Sequence, residues 1–280
     1  MKPLHDPVPY YNMNHNSTRN SMKARVYVFI SLFILCSTVL AFSQGSVDYK
    51  ALLAKVDQTV TFEGHDLSAE YTIDKRDPGG AVSTTVATMF RRDSTGQFLI
   101  LILQPAIDKG KGYLKMDDNL WLYDPVDRVF TFTSAKERFQ NSSFRNSDFS
   151  RSNFSADYRP VSGKREMLGK FDCTVLDLEA TNDKVSFPRM RLWVTDDYLV
   201  RKIEDYSLSG QLMRTSAIPS YQKVGDKWVA AGMVILDHLK AKTISGKIEY
   251  ERTTVSIKKP SLSTLPDSVY TKEYLEKVSR

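Results

Sequence analysis

From Asp66 onward the chain alternates apolar and polar residues with a period of two, broken at short intervals by turn-forming clusters, the pattern of consecutive strands and hairpins. Leu67 to Lys75 alternates, Asp77-Pro78-Gly79-Gly80 turns the chain, and Ala81 to Arg92 is a Thr- and Val-rich strand ending at Asp93-Ser94-Thr95-Gly96. Phe98 to Leu103 is continuously apolar, which in an antiparallel protein predicts a strand covered on both faces. Lys109 to Thr133 then reads as three short strands, Tyr113 to Met116, Leu120 to Tyr123 and Arg128 to Thr133, with turns at Asp117-Asp118-Asn119 and Asp124-Pro125. In the middle strand Leu120 and Leu122 point to one face and Trp121 and Tyr123 to the other. Either both faces are covered, or one of them lines a cavity for an apolar guest.

The second half continues in the same manner. Strands are predicted at Lys164 to Leu168, Phe171 to Glu179, Met190 to Thr195, Leu199 to Ser207, Gln211 to Gln222, Lys227 to Leu239 and Ile244 to Ile257. Helical spacing occurs only at the two ends of this region. Tyr49, Leu52, Leu53, Val56 and Val60 predict an amphipathic helix over Ser46 to Val60 with Ser46 as N-cap, and Thr271 caps a short helix from Lys272 to Val278. Roughly ten strands with few helices make a mainly β fold built on a strongly curved antiparallel sheet, either an incomplete barrel or a calyx.

Ser134 to Arg159 breaks the regularity. Phe144, Phe149 and Phe154 recur every five residues in a Ser- and Asn-rich setting. A square β-helix needs stacked turns to bury a core, and three such units do not complete one, so the segment reads as a polar loop with aromatic anchors. The stretch from Asn141 to Asp157 is expected to form a mobile lid or rim at a cavity mouth, the alternative being a static loop pinned by its three phenylalanines.

Composition narrows the setting. Met22-Lys23-Ala24-Arg25 is a basic n-region, Val26 to Leu40 an apolar h-region, and Ala41-Phe42-Ser43 places small residues at a cleavage site, which predicts a signal peptide over 22–43. Residues 1–21 read as an untranslated or disordered extension, and residues 44–280 as a single domain. Leu35 before Cys36 does not suit a lipidation signal. The formal charge of +6 falls to +3 once Lys2, Arg19, Lys23, Arg25 and Asp6 are removed, too mild to argue for nucleic acid. After Ser43 the chain keeps one cysteine, Cys173, and two histidines, His65 and His238, so it offers neither a disulfide nor the material of a zinc or thiol-protease site. No metal or cofactor is expected.

Catalytic chemistry is equally thin. Asp237 and His238 are neighbours on a strand and point to opposite faces, His65 stands next to Asp66 before the first strand, and no Gly-x-Ser-x-Gly elbow or phosphate-binding loop occurs. Glu249 and Glu251 share a strand face, but flanking Lys247 and Arg252 assign them to a solvated sheet face and not to a glycosidase pair. The residues point to binding by shape and apolarity, and not to an enzyme.

The run Asn119-Leu120-Trp121-Leu122-Tyr123-Asp124-Pro125, preceded by Phe98 to Gln104 with Pro105 and followed by Val129-Phe130, resembles the corresponding run of bacterial outer-membrane lipoprotein-sorting proteins of the LolA/LolB-like superfamily. The similarity runs from about Tyr49 to the C-terminal Leu-Pro-Asp-Ser-Val-Tyr-Thr-Lys-Glu-Tyr-Leu segment, and Asn-Ser-Asp-Phe-Ser resembles the loop this family carries there. The resemblance implies a half-barrel whose open side is covered by helices and a loop. It also implies a periplasmic carrier of lipid or lipoprotein acyl chains, with an inner-membrane transporter or an outer-membrane receptor as partner. RseB-like envelope stress sensors share the sheet type, so a binding or sensor module for a protein partner is the alternative. A carrier must hide about 0.8 kcal/mol of hydrophobic free energy per CH₂ of its guest. The residues expected to line such a cavity are Met89, Leu99, Leu101, Trp121, Phe130, Leu192, Trp193 and Met233, with Phe144, Phe149 and Phe154 in the covering loop.

Overall fold

Strand β1 (Asp66–Arg76) shows how the alternation is used: Leu67, Ala69, Tyr71 and Ile73 are buried on one face, while Ser68, Glu70, Thr72 and Asp74 between them are only partly covered. The computed structural model describes residues 48–280. The expected signal peptide, the segment before it and Ser46 lie outside the described residues. Twelve further strands follow: β2 (Val82–Arg92), β3 (Gln97–Gln104), β4 (Gly112–Met116), β5 (Asn119–Asp124), β6 (Val129–Thr133), β7 (Tyr158–Leu168), β8 (Phe171–Ala180), β9 (Arg189–Thr195), β10 (Val200–Tyr206), β11 (Leu212–Val224), β12 (Lys227–Ile244) and β13 (Lys247–Ser263). Every stretch expected to be a strand is one. The largest boundary shifts are at β7, β12 and β13, the last of which runs on past Ile257 to Ser263. β7 starts at Tyr158, its Pro160 tolerated because this is an edge strand. β12 runs on to Ile244, and the hairpin turns instead at Ser245-Gly246, both with positive φ.

All strands form one open antiparallel sheet in the order β6-β5-β4-β3-β2-β1-β13-β12-β11-β10-β9-β8-β7. It consists of two meanders, β1 to β6 and β7 to β13, joined where the first and last strands pair. The free edges, β6 and β7, are consecutive in sequence, and residues 134–157 run from one to the other. The choice between incomplete barrel and calyx is thereby decided for the incomplete barrel.

Helix α1 (Tyr49–Val60) is capped by Asp48, whose carboxylate accepts from the Lys50 and Ala51 amides. It buries Leu53 and Val56 against the inner face of the second meander, where Leu176, Leu178, Leu192 and Val194 lie. Tyr49 packs over Gly163 of β7, where a Cβ would collide with its ring. The last helix, α3 (Lys272–Val278), is capped by Thr271 as expected and covers the outer face of the first meander. Leu275 sits on Leu99, Leu114 and Tyr123, and a Cβ at Gly112 would collide with it. Phe98 to Leu103 is thus covered on both faces, Phe98, Ile100 and Ile102 by the inner core and Leu99 and Leu101 beneath α3.

The C-terminal segment is fastened by a buried ion pair. Arg92 donates from Nε and Nη2 to the two oxygens of Asp66, at 2.8 and 2.9 Å, and reaches Asp267 and the Leu265 carbonyl, while the Leu265 amide donates to Asp66 at 2.7 Å. Burial alone would raise the Asp66 carboxyl, but the Arg92 fork and the Leu265 amide outweigh it and hold it below its ordinary 3.8. A carboxylate so depressed contributes stability in full above its unfolded value and loses it as pH falls through the lower folded value. Asp66→Asn is expected to cost about 2 kcal/mol near neutral pH, since it removes the charge from a bidentate pair while Arg92 keeps Asp267 and the Leu265 carbonyl. Urea titrations of both proteins from neutral to strongly acidic pH should show the difference shrinking in acid. A difference that stays constant with pH would show that the pair contributes nothing through its charge.

Candidate functional site

The concave face of the sheet, α1 and the connector between β6 and β7 enclose a cavity of about 880 Å³. Its walls are built from inward positions of both meanders. Leu67 and Tyr71 come from β1, Val255 and Ile257 from β13, Val229 and Met233 from β12, and Val200, Ile203 and Ile218 from β10 and β11. Helix α1 adds Val56 and Val60. The interior is strongly desolvating: burial pushes the Tyr71 hydroxyl up to about 12. Polar groups gather at the mouth, among them Arg91, Lys115, Asp118, Lys136, Arg151 and Lys184.

The connector is held by charges that the sheet presents inward. Arg214 on β11 donates to Asp205 at 2.7 Å and to Asp148 of the connector at 2.7 Å. Burial works against the Arg214 charge, but the two carboxylates outweigh it and hold the guanidinium above its ordinary range. Burial pushes the Asp205 carboxyl up, against the pull of Arg214. From the connector, Arg138 pairs with Asp237 and Glu251, and Ser143 donates to Glu251 at 2.6 Å. A bulge in β12 after Asp237 lets Lys240 reach the same Glu251 at 3.1 Å. Phe187 is flanked by two guanidiniums, those of Arg145 and Arg214, each centred 4.7 Å from its ring.

At its far end the connector is tied to α1. Asp57 accepts from Ser152 Oγ and from the amides of Phe154 and Ser155, at 2.5, 2.9 and 2.8 Å, and so fixes the short helix α2 (Phe154–Asp157) beside the cavity. Between these fastenings the aromatic side chains turn inward. Phe149 is wholly buried against Tyr71, Phe98, Phe139 and Phe144, with ring centroids 4.8 to 6.2 Å apart.

The residues expected to line the cavity are scattered by the alternation of the strands. Of the eight, Met233 lines it. Met89 is fully buried in the inner core, and Leu192 lies beneath α1. Leu99, Leu101, Trp121 and Phe130 have the opposite parity and pack on the outer face with α3, where Lys272 sits 3.3 Å from the Trp121 ring. Trp193 is also on the outer side, in a small cluster with Cys173 and Val175. Of the loop phenylalanines, Phe144 and Phe149 are core residues, Phe144 reaching the cavity wall, and Phe154 is half-buried at the cavity. Glu251 is another correction. It is wholly buried beneath Arg138, whereas Glu249, two residues away, is exposed as expected and accepts from the Gly79 amide. His238 bonds to Thr215 at 2.9 Å and turns away from Asp237.

Two further residues, Asp57 and Phe139, shape the site without standing among the expected site residues. Asp57 falls inside the apolar stripe of α1, between Val56 and Val60, which is the signal that an acid is aimed at a partner. Phe139 lies five residues before Phe144 and so extends the spacing of the other three phenylalanines by one step, which is the signal that it belongs with them.

Comparison with known proteins agrees with this architecture. A family model described as an uncharacterized protein matches residues 94–277. No curated protein matches the chain. Among solved structures, a LolA superfamily protein from Nitrosomonas europaea is 25% identical, with a TM-score of 0.68 over 80% of this chain and 98% of that one. A domain from Vibrio parahaemolyticus described as an outer membrane lipoprotein-sorting protein is 21% identical, with a TM-score of 0.70 over 81% of this chain and 97% of that one. A DUF1329 family protein from Desulfovibrio piger shows the same TM-score and coverage at 18% identity. With its thirteen-stranded open sheet and the family model matched over residues 94–277, the chain belongs to that family and to the LolA-like superfamily.

Proposed function

We propose that this protein is an exported carrier or binding protein for lipid or lipoprotein acyl chains, acting by burial and not by catalysis. The observation that carries this reading is the cavity of about 880 Å³ whose walls are apolar side chains drawn from both meanders and α1. Buried acyl chain contributes roughly 0.8 kcal/mol per CH₂, so even part of one chain in this space is a useful binding energy. The two similar proteins described as a LolA superfamily member and a lipoprotein-sorting domain support the same class of guest. Export through a signal peptide over 22–43, with residues 44–280 as the mature domain, is part of the proposal, as is an inner-membrane transporter or outer-membrane receptor as partner. Among the described residues no helix is long and apolar enough to cross a membrane.

Access to the cavity is proposed to open at α2 and the end of the connector, where Phe154 is only half-buried against Leu53 and Val56 and the hydrogen bonds to α1 converge on one side chain, Asp57. The stretch around Phe144 and Phe149 stays in place, because those two rings are part of the core.

Four outcomes are expected. The mature protein should show an N-terminus near Gln44 by mass spectrometry; an intact or acylated leader would sink the soluble-carrier reading. Protein purified from its own envelope should carry lipid or acylated peptide in native mass spectrometry, whereas a clean apo protein would favour a module that recognises a protein partner. Phe144→Ser and Phe149→Ser should each cost about 3 kcal/mol or more of stability. Phe154→Ser should lose bound lipid with a cost below about 1 kcal/mol. A Phe154→Ser protein that keeps its lipid and melts earlier would make Phe154 a structural pin.

A further inference from the structure

One row of residues across the concave face carries more charge than its surroundings balance. In register, Leu67 stands opposite Arg91, Arg91 opposite Phe98, Phe98 opposite Lys115, and Lys115 opposite Leu120. Directly opposed residues share a face, so Arg91 and Lys115 both project toward the cavity, two strands or about 10 Å apart, with the buried Phe98 between them. The connector brings a third cation to the same end. Arg91 donates to the Ser150 carbonyl at 3.4 Å, and Arg151 follows directly on the cavity mouth.

The cations here differ in how they are neutralised. Arg91 is paired with the buried Asp93 at 2.7 Å, Lys184 with Asp118 at 3.1 Å, and Arg214 with Asp148 and Asp205. Lys115 has only a backbone carbonyl, that of Gly96, at 2.9 Å. Arg151 forms no ion pair among the described residues. A half-buried ammonium without a counter-ion is costly, and a second cation nearby adds to the cost. Burial holds the Lys115 ammonium below its ordinary value, against the attraction of Asp118 and Asp117 and with the repulsion of Arg151 added. Beyond this end the cavity continues into Tyr71, Val60, Met233 and Ile257, which offer nothing to a charge but suit a hydrocarbon chain.

We infer that Lys115 and Arg151 form a headgroup subsite, and that the guest is an acyl amphiphile with an anionic head, a phosphate or a carboxylate, whose chain occupies the apolar remainder of the cavity. The inference rests on the acyl-binding reading above and specifies its guest. An anion between the two side chains would accept charge-assisted hydrogen bonds from both and supply the directly bonded counter-ion that Lys115 lacks, since Asp117 and Asp118 attract it without bonding to it. A neutral acyl guest would leave Lys115 as costly as it is in the empty cavity.

The test is a titration of delipidated mature protein with dodecyl phosphate, laurate and neutral dodecanol below their aggregation limits, at low salt, by displacement of an apolar fluorescent dye. At least one anion should bind about tenfold or more tighter than dodecanol, and the advantage should shrink as salt is added. In the Lys115→Met, Arg151→Gln double variant the advantage should vanish while dodecanol binds as before, which also shows that the variant is folded. A preference for the phosphate would identify a phospholipid-type head, and equal or tighter laurate binding a free fatty acid. Dodecanol binding as tightly as both anions, or a double variant that keeps the preference, overturns the headgroup subsite and leaves the acyl cavity standing. If none of the three displaces the dye, the acyl-binding reading itself fails, and the subsite with it.

Discussion

The two unpaired edges of the sheet belong to strands that follow each other in sequence, and most of the architecture descends from that constraint. A chain leaving β6 must reach β7 across the open side of the curl, so the covering segment is fixed by connectivity. It is rich in Ser and Asn and cannot bury its backbone against an all-apolar floor without leaving polar groups unpartnered. The sheet answers with acids at inward positions, Asp205, Asp237 and Glu251, and the connector and β11 answer with Arg138 and Arg214. The buried charges therefore sit where a polar loop meets a core, and their role there is to register the connector on the strands.

This arrangement divides the concave face into two regions. Where Phe139, Phe144 and Phe149 descend, the space between connector and sheet is filled by aromatic packing. Toward α1 the connector lifts, and the same floor is left open as the cavity. The partition reflects side-chain supply: the connector delivers three rings to one half of the floor, while at the other end it is held by the hydrogen bonds to Asp57 and by one half-buried ring, Phe154.

Much of this was legible in the sequence, and the part that was not has a physical reason. Period-two alternation and turn clusters located all thirteen strands, and Thr271 and the apolar spacing of Tyr49 to Val60 located the helices. Parity along a strand says which residues share a face, but not which face is concave. Leu99, Leu101, Trp121 and Phe130 are as apolar as Phe98, Ile100 and Leu120, and only the docking of α3 on the first set makes it the outer one. The distinction depends on Leu275 and Gly112, more than 160 residues apart, and no local pattern holds it. Glu251 was misplaced for a related reason: its local surroundings, Lys247 and Arg252, describe a solvated face, and its burial comes from Arg138 in a distant segment.

The pairing of β1 with β13 carries a consequence for how the molecule comes to be folded. Each meander is a run of adjacent hairpins whose contacts are local in sequence and can form early. The seam between them sets Tyr71 against Ile257 and Asp66 against Ser263, almost the full length of the domain apart. Closing such a loop is entropically expensive and slow, so the halves are expected to organise separately and the seam to close late. The inner walls of the cavity are drawn from both halves and do not exist as a surface until then. A chain still being threaded through a membrane, or one cut short before Ser263, would have its strands but no interior, and the apolar faces destined for the cavity would be open to the first partner they met.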